Sequence, residues 1–310
     1  MVLFITGICG RTCWYCPLSS GRKGKDFVYA NERQVETPEE AIEVARRMSA
    51  LGTGITGGEP LLRLDRVISY CRELKKEFSP DHQIHLYTGI APGREDLEAM
   101  TGLVDEIRLH PPRNCWEAIS ESKYVESAAI AKELGFDVGI EVPSLRGIEH
   151  LAAALPSLDF LNINELEWGE TNAEAMRSRG HLLADGVHNA VKGARGWAGP
   201  LLGEQKVHWC SSSFKDSVQL RKRLIRIARN TARSFDEVTK DGTILYGVLE
   251  GQGDAPPLIR ELGNDMFEIR DGQLETAWWV ITRYAKDLPG RKSILERYPD
   301  RGLIVEVTPV

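Results

Sequence analysis

Apolar and polar residues alternate with two different periods along the first half of the chain. Short period-two runs predict strands, and the longer runs between them, with apolar residues three or four positions apart, predict helices. The predicted strands are VLFIT (2–6), GTGIT (52–56), QIHLYT (83–88), VDEIRLH (104–110), DVGIEVP (137–143) and LDFLNINELE (158–167). Six strands joined by helices predict a parallel sheet with right-handed crossovers, curled into a barrel or a partial one.

The predicted helices fill the gaps between these strands. They are 37–51, 64–78, REDLEAMTG (94–102), a long helix over 116–135 and a helix near 147–155. Thr37 and Glu40 form a capping-box pattern at the start of the first helix. The fold class that follows is α/β, with a partial (β/α)6 barrel.

The alternation within the strands separates an apolar face from a polar one. Helices outside the barrel require the apolar face, so the polar residues should point inward. The inward set is Gln83, His85, Tyr87, Arg108, His110, Gly139, Glu141, Asn162 and Asn164. On any single strand, a polar residue that caps the strand end explains the pattern equally well. Agreement among four strands favours a polar cavity that opens at their C-terminal ends.

The C-terminal half has a different pattern. Residues 205–235 read as a short strand, a serine-rich turn and a basic amphipathic helix, either a solvated charged face or a docking face for phosphates, RNA or an acidic protein. The basic residues are Lys215, Arg221, Lys222, Arg223, Arg226, Arg229 and Arg233. Residues 236–310 alternate as strands with Asp-Gly turns and predict a small antiparallel lid or recognition element. We expect a core over 1–167 and a mixed α+β C-terminal extension, made of a helical segment over 168–235 and the small antiparallel element over 236–310.

Composition narrows the class of protein. The formal net charge of −6 over 310 residues argues against non-specific nucleic-acid binding by the whole surface. The first ten residues are apolar but lack a basic leader, so they read as a strand and not as a signal peptide. No run approaches the roughly 20 apolar residues of a membrane span. We therefore expect a soluble, cytoplasmic protein.

Three of the six cysteines cluster in ITGICGRTCWYCPLSS (5–20). Cys9, Cys13 and Cys16 have the spacing C-x3-C-x2-C, which favours an iron–sulfur cluster or zinc over buried structural thiols. Structural zinc normally takes four ligands, and no second C-x-x-C partner is visible. Three cysteines on a four-iron cluster would leave one iron free for another ligand.

A second motif, ITGGEPLL (55–62), follows the second predicted strand. Its paired glycines expose backbone to a ligand and Glu59 adds a charged acceptor, although a Gly-Gly turn alone is common. Together with the cysteine loop it resembles the radical S-adenosylmethionine (radical SAM) superfamily, over about residues 2–165. The stretches CPLSSGRKGKDFVYANER, GTGITGGEPL and HLYTG further resemble an uncharacterised set related to pyruvate formate-lyase activating enzymes.

The resemblance implies two cofactors, a [4Fe–4S] cluster and S-adenosylmethionine. It implies that the cluster is bound by Cys9, Cys13 and Cys16. It also implies S-adenosylmethionine contacts from Tyr15, Gly57, Gly58, Glu59, Pro60, Thr88, Glu141 and Asn164. The implied reaction is reductive cleavage to a 5'-deoxyadenosyl radical, followed by hydrogen abstraction from a substrate. The cluster would need a one-electron donor such as ferredoxin or flavodoxin.

The substrate is open at this point. The basic helix and polar lumen favour a phosphate-bearing small molecule or RNA nucleotide; peptide or protein modification, including glycyl-radical activation, is the alternative. A non-catalytic electron-transfer or sensing protein is a second alternative. Arg108 and His110 could orient substrate, Lys215 could bind an anion beside Ser211–Ser213, and Cys210 could donate hydrogen to a substrate radical. For Cys210 and for the inward histidines, a purely structural role is the competing interpretation.

Overall fold

The computed structural model describes residues 1–251 and 253–310, and the chain divides into two compact units. The first unit contains Met1–Arg46 and Ala50–Lys215, and the second contains Arg47–Ser49 and Asp216–Val310. The division in the structure therefore falls after Lys215. The boundaries at 167 and 235 that we drew from the sequence pattern stay predictions.

The first unit is built on one mixed sheet, which has nine strands within the described residues. The strands are β1 (Val2–Phe4), β2 (Val28–Ala30), β3 (Arg33–Val35), β4 (Gly52–Thr56), β5 (Gln83–Thr88), β6 (Glu106–Leu109), β7 (Asp137–Pro143), β8 (Phe160–Asn164) and β9 (Val207–Cys210). Their order across the sheet is β3-β2-β1-β4-β5-β6-β7-β8-β9. Strand β1 pairs in parallel with β4, and the strands from β4 to β9 continue the parallel pairing. Strands β2 and β3 form an antiparallel hairpin beside β1.

Helices connect the parallel strands. The α-helices of the first unit are α1 (Pro38–Arg47, whose last residue belongs to the second unit), α2 (Leu64–Phe78), α3 (Arg94–Met100), α4 (Lys123–Glu133), α5 (Ala173–Ser178), α6 (Ala194–Ala198) and α7 (Ser212–Phe214). The 3-10 segments are Pro60–Arg63, Arg113–Glu121, Ile148–Ser157 and Gly199–Leu201. The single helix predicted over 116–135 is wrong. It is two segments, because Ser122 is extended and its hydroxyl donates to the Ile119 carbonyl oxygen at 2.6 Å.

The predicted fold class is confirmed, with two additions to the predicted sheet. The α/β sheet contains the six predicted parallel strands, and β9 extends it as a seventh by pairing with β8. The short strand predicted within 205–235 is β9, but its place in this sheet was not predicted. The β2–β3 hairpin covers the other edge, and its strands of three residues are too short to show a period.

The apolar strand face forms the core of this unit, as the alternation predicts. Ile84 and Leu86 on β5 and Ile107 and Leu109 on β6 are fully buried. The intervening His85 and Arg108 are only partly buried, so the polar set does lie on the opposite face. Burial of the apolar set against the surrounding helices supplies the main driving force for folding.

The second unit is a small antiparallel sheet with short helices, and the role of residues 236–310 as a lid or recognition element stays a prediction. Within the described residues its sheet has the order β12-β13-β11-β14-β15, and β10 also pairs with β11. The strands are β10 (Glu237–Val238), β11 (Ile244–Glu250), β12 (Phe267–Arg270), β13 (Gln273–Thr276), β14 (Lys292–Arg297) and β15 (Ile304–Pro309). The helices are α8 (Arg221–Thr231), α9 (Pro257–Leu262), α10 (Trp278–Arg283) and a 3-10 turn, Asn264–Met266.

The basic helix predicted from Lys215 has an irregular start. A π-helical stretch, Lys215–Leu220, precedes the regular helix α8.

None of the helices in residues 1–251 and 253–310 combines the length and the apolar character of a membrane-spanning segment.

Candidate functional site

A cavity of about 360 Å³ lies within the first unit, where the cysteine loop and the C-terminal ends of the parallel strands meet. Its volume is in the range of small-molecule sites. The predicted site residues that line it are Cys9, Cys13, Tyr15, Cys16, Gly57, Gly58, Glu59, Thr88, His110, Glu141, Asn164 and Lys215. Three predicted site residues, Pro60, Arg108 and Cys210, are not among the lining residues. The structure thus brings most of the predicted set together.

The three thiols fit a cluster better than a single ion. Cys9, Cys13 and Cys16 all face this cavity, and none forms a disulfide. Among the described residues, no three His, Cys, Asp or Glu side chains are grouped as they would be around one metal ion. Three thiolates are the soft ligands that an iron–sulfur cluster takes, whereas a structural zinc ion normally takes four protein ligands. The donor set therefore fits a cluster with one iron left open.

Gly57 and Gly58 are required by the cysteine loop itself. A Cβ atom on Gly57 would lie 2.6 Å from the Thr6 carbonyl oxygen, and one on Gly58 would lie 2.4 Å from that of Ile8. The Gly58 amide donates to Thr6 at 2.6 Å and the Glu59 amide to Ile8 at 2.8 Å. Since an amide N–H only donates, the carbonyl oxygens are the backbone groups here that could accept from a ligand's ammonium.

Glu59 is a buried carboxylate that joins neighbouring strand ends. Its Oε1 accepts from the Thr88 hydroxyl at 2.7 Å and from the Leu61 amide at 3.2 Å. Its Oε2 accepts from the amides of Gly89 at 2.7 Å and Ile90 at 3.1 Å. These bonds offset the desolvation of a carboxylate that is 2% exposed. Glu59 therefore fixes the loop after β5 as well as lining the cavity. Pro60 is buried behind it and begins the following 3-10 segment.

A hydrogen-bonded chain runs from the cysteine loop into the sheet. The His110 ring lies with Nδ1 2.8 Å from the Glu141 carbonyl oxygen and Nε2 3.0 Å from the Tyr15 hydroxyl. Burial lowers the pKa of His110 to about 4, so the ring is neutral at pH 7. Because a carbonyl only accepts, Nδ1 carries the proton and Nε2 accepts from Tyr15. Burial, followed by the neighbouring Cys13, raises the pKa of Tyr15, which keeps its hydroxyl a donor.

The Glu141 carboxylate is held at the cavity wall by three donors. Asn164 Nδ2 donates to Oε1 at 2.7 Å, while Asn162 Nδ2 and Arg108 Nη1 donate to Oε2 at 3.1 Å and 2.8 Å. Arg108 also donates to the Tyr87 hydroxyl at 2.9 Å and is paired with Glu106. Arg108 therefore acts on the cavity through Glu141, because it does not line the cavity itself.

The serine-rich turn does not offer a free anion site. Its Ser212 amide donates to the Glu165 carboxylate at 2.9 Å, so the chain's own acid occupies that position. Lys215 lines the cavity with its Nζ 2.8 Å from Glu167 Oε1. Cys210 ends β9 opposite Asn164, and burial raises the pKa of its thiol. Its predicted role as a hydrogen donor stays a prediction.

Several residues that position the site were missed from the sequence. Arg11 in the cysteine loop donates to the carbonyl oxygens of His110, at 2.6 Å, and Gly89, and to the Tyr124 hydroxyl. It ties the loop to the ends of β5 and β6. An arginine between two clustered cysteines was the available signal.

A second clamp comes from the segment after β8. The buried Asn172 donates from Nδ2 to the Tyr15 carbonyl oxygen at 3.0 Å, and the Thr171 hydroxyl donates to that of Cys16 at 3.1 Å. These residues lie more than 150 positions from the cysteines, so no local pattern could reveal them.

Fold and site define a class: an α/β protein whose strand ends bring three free thiols, a donor set suited to an iron–sulfur cluster, to a cavity of small-molecule size. The model of the Radical SAM superfamily matches residues 3–150. A protein of Methanocaldococcus jannaschii named "Putative glycyl-radical enzyme activating enzyme" is 41% identical over 264 residues, covering 80% of this chain and 70% of that protein. The chain belongs to the radical SAM superfamily.

Other matches are more partial. A GTP 3',8-cyclase of Aquifex aeolicus is 32% identical over 155 residues, which are 46% of this chain and 47% of that protein. Residues 242–310 match a domain of unknown function, DUF8061. The crystal structure of Streptococcus suis SuiB bound to S-adenosylmethionine superposes with a TM-score of 0.44 at 15% identity, over 71% of this chain and 52% of that one.

Family membership makes the chain a radical SAM enzyme that uses a [4Fe–4S] cluster and S-adenosylmethionine. The non-catalytic alternative loses its support. When bound, the two cofactors supply one-electron cleavage of the sulfonium, which yields a carbon radical able to abstract hydrogen. What the chain itself contributes is binding, orientation and exclusion of water.

Proposed function

We propose that this enzyme abstracts a hydrogen atom from a protein or peptide, with the α-carbon of a glycine as the leading target. The charge of the cavity lining carries the proposal. Glu59, Glu141, Glu165 and Glu167 supply four carboxylates against three cationic side chains, Arg11, Lys23 and Lys215. A phosphate entering this cavity would meet an excess of negative charge, whereas an uncharged peptide backbone would not.

Two of the three cationic groups, Arg11 and Lys215, are also engaged. Arg11 donates to backbone carbonyls and to Tyr124, and Lys215 is paired with Glu167. A phosphate would have to break these contacts or bind without them. The relative named for glycyl-radical enzyme activation, 41% identical to this chain, supports the same choice.

We assign the cofactor contacts as follows within this proposal. The thiolates of Cys9, Cys13 and Cys16 bind the cluster. The carbonyl oxygens of Gly57 and Gly58 accept from the ligand's ammonium, and Tyr15, Glu141 and Asn164 contact the remainder of S-adenosylmethionine. Thr88, Glu59 and Pro60 hold the strand ends that shape this pocket.

Within the described part of the chain, the one histidine of the cavity lining, His110, is neutral at pH 7. His110 carries its proton on Nδ1, directed at the Glu141 carbonyl, so it supplies no charge at pH 7. A carbon radical would take hydrogen from any donor within reach, so donors other than the substrate must be excluded. Internal hydrogen bonds that hold the lining in place help to exclude them.

A nucleotide substrate is the second candidate. The partial match to a GTP 3',8-cyclase favours it, and so does the basic sequence of helix α8.

For location, we propose the cytoplasm, since six free cysteines are typical of a reducing compartment.

Deuterium transfer distinguishes the two candidates. The anaerobically reconstituted enzyme would be reduced with dithionite in the presence of S-adenosylmethionine and one of two labelled pools. The first pool is desalted protein from cells of the source organism grown on α-deuterated glycine, and the second is ribose-deuterated GTP. Mass spectrometry of 5'-deoxyadenosine then reports which pool supplied the hydrogen.

We expect deuterium in 5'-deoxyadenosine from the protein pool and none above background from GTP. Deuterium from GTP alone would overturn the proposal in favour of the nucleotide. Unlabelled 5'-deoxyadenosine from both pools would exclude glycine as the target. A Cys13→Ser enzyme provides the blank.

A further inference from the structure

The cysteine loop has a second face, directed away from the cavity. Trp14 lies between Cys13 and Tyr15, which both line the cavity, but Trp14 does not. Its indole stacks on the His181 ring with centroids 5.6 Å apart and planes 8° from parallel. The Arg179 guanidinium lies 4.5 Å over the indole. Trp14 thus connects the thiol-bearing loop to a surface of the first unit.

The aromatic contacts continue beyond Trp14. The His181 and Trp197 rings are 5.5 Å apart, and Arg146 lies 5.3 Å over Trp197. These contacts fix the position of the outer loop face, because each ring is held by a neighbour.

An exposed apolar hairpin follows His181 directly. Leu182, Leu183 and Val187 are 63%, 50% and 87% exposed. Backbone bonds from Ala184 to Ala190 and from Lys192 to Leu182, both 2.8 Å, keep the hairpin closed. Large apolar side chains held outward on an ordered hairpin are typical of a contact surface.

The segment of sequence that contains this hairpin is basic, whereas the whole chain is acidic. From Arg177 to Arg195 the sequence has four cations, Arg177, Arg179, Lys192 and Arg195, against Asp185 alone. Asp185 accepts from the backbone amides of Val187, at 2.8 Å, and His188, at 2.7 Å, so it caps the hairpin tip. The chain as a whole has a net charge of −6.

We propose that this surface, formed by Trp14, Arg179, His181, Leu182, Val187 and Lys192, docks an acidic one-electron carrier protein. Its apolar centre and basic rim complement a carrier with an acidic rim around its redox group. The reduced carrier loses one electron and the cluster at Cys9, Cys13 and Cys16 gains it, with no bond made or broken. The inference rests on the proposed cluster ligands, and it concerns the reductant and not the substrate.

Binding is measured with a defined probe, an acidic flavodoxin in its oxidised state, titrated by calorimetry against the reconstituted enzyme. Lys192→Glu and Val187→Asp each place negative charge on the surface, and we expect each to raise the Kd about tenfold. The matched control is Lys123→Glu, an exposed charge reversal at the start of helix α4, which should leave the Kd unchanged. Wild-type binding should weaken as salt is added.

Electron delivery is measured separately from chemistry. With dithionite, all three variants should form 5'-deoxyadenosine at the wild-type rate, because the small reductant needs no docking surface. With reduced flavodoxin at subsaturating concentration, Lys192→Glu and Val187→Asp should be about tenfold slower. If wild-type enzyme is inactive even with dithionite, the proposed cluster site fails, and the binding titration still tests the surface.

Three results would overturn the inference. One is an equal Kd for the two surface variants and Lys123→Glu. Another is a loss of dithionite-driven activity that matches the loss with flavodoxin. The third is sedimentation showing a wild-type dimer that both surface variants break, which would assign the face to a second copy of the chain.

Discussion

The two compact units carry different kinds of side chain. All six cysteines and all seven histidines lie in the first unit, and the residues from Asp216 to Val310 contain neither. In the first unit, polar groups such as Glu59 are turned inward and hydrogen-bonded around a cavity. In the second, strand β15 ends the sheet with Ile304, Val305 and Val307 more than 50% exposed.

This difference concerns where each unit places its polar and apolar groups. Buried polar groups cost free energy unless they are paired, so a fully paired set around a cavity indicates a site kept for chemistry. Exposed apolar residues on a sheet edge contribute little to the unit's own core and are typical of contact surfaces. The first unit therefore differs from the second in having a hydrogen-bonded interior cavity, while the second leaves one sheet edge apolar and exposed.

The largest expected effect comes from a cluster thiol. Cys13→Ser should abolish cluster binding, because a serine hydroxyl is a poor ligand for iron–sulfur clusters. Iron and sulfide analysis and the visible absorption of anaerobic material measure it. Cys115→Ser, a half-buried thiol that does not line the cavity, is the control and should retain the cluster. Retention of a full cluster by Cys13→Ser would contradict the ligand assignment.

Next is the contact between the glycine pair and the cysteine loop. Gly58→Ala would place a Cβ atom 2.4 Å from the Ile8 carbonyl oxygen, a backbone atom that cannot turn aside. We expect it to lower the free energy of unfolding by about 4 kcal/mol, measured by urea titration. Gly196→Ala, in helix α6 with open space at that position, should instead raise it by about 0.5 kcal/mol. Equal effects of the two would rule out the close approach.

Glu59→Gln tests the buried carboxylate. The new amide group would face donors, since each oxygen of Glu59 now accepts two hydrogen bonds. We expect a loss of about 3 kcal/mol of unfolding free energy. The exposed Glu98→Gln on helix α3 is the control and should change it by less than about 0.5 kcal/mol. A stable Glu59→Gln protein that fails only to bind S-adenosylmethionine would give Glu59 a ligand role alone.

Local periodicity predicted the parts of the fold that bury one strand face. The bounds of β5 and β7 match the predicted strands, because alternate apolar residues must enter the core on these strands. The same alternation also predicted part of the cavity lining. The residues on the opposite strand face that line the cavity are Tyr87, His110, Glu141 and Asn164.

The remainder depends on contacts between distant residues. Strand β9 has four residues, and its place is set by pairing with β8. Asn172 donates a hydrogen bond to the Tyr15 carbonyl oxygen. In the sequence alone, this asparagine looks like any other loop asparagine. Glu165 takes the amide of Ser212, which removed the anion site that the serine run had suggested. These contacts join residues that are far apart in the sequence, so a local sequence pattern cannot predict them.

A smaller effect distinguishes the units by pH. Burial lowers the pKa of His110 to about 4, below the ordinary value near 6.5 in the unfolded chain. The unfolded state therefore binds the extra proton first, and stability is lost as the pH falls from about 6.5 towards 4. Between pH 7 and 5 this histidine should cost about 1–2 kcal/mol, measured by hydrogen exchange of peptides from the first unit.

The second unit lacks histidine, so its peptides should show no such change between pH 7 and 5. His110→Gln should reduce the slope of the first unit without removing it, because burial also lowers the pKa of His85, to about 3. His150→Gln, at an exposed position, should leave the slope as it is. An unchanged slope in His110→Gln would place the titrating group elsewhere.

The smallest effect on stability is expected on strand β15. Val307→Lys replaces a side chain that is 51% exposed, so the free energy of unfolding should change by less than about 0.5 kcal/mol. A lysine on an edge strand opposes pairing with a second strand, so self-association at high concentration should decrease in sedimentation velocity. Leu51→Lys, at a 79% exposed leucine outside any strand, is the control and should not alter association. A clear fall in stability for Val307→Lys alone would mean that β15 is packed against a partner, and the second unit would then have an interior of its own at this edge.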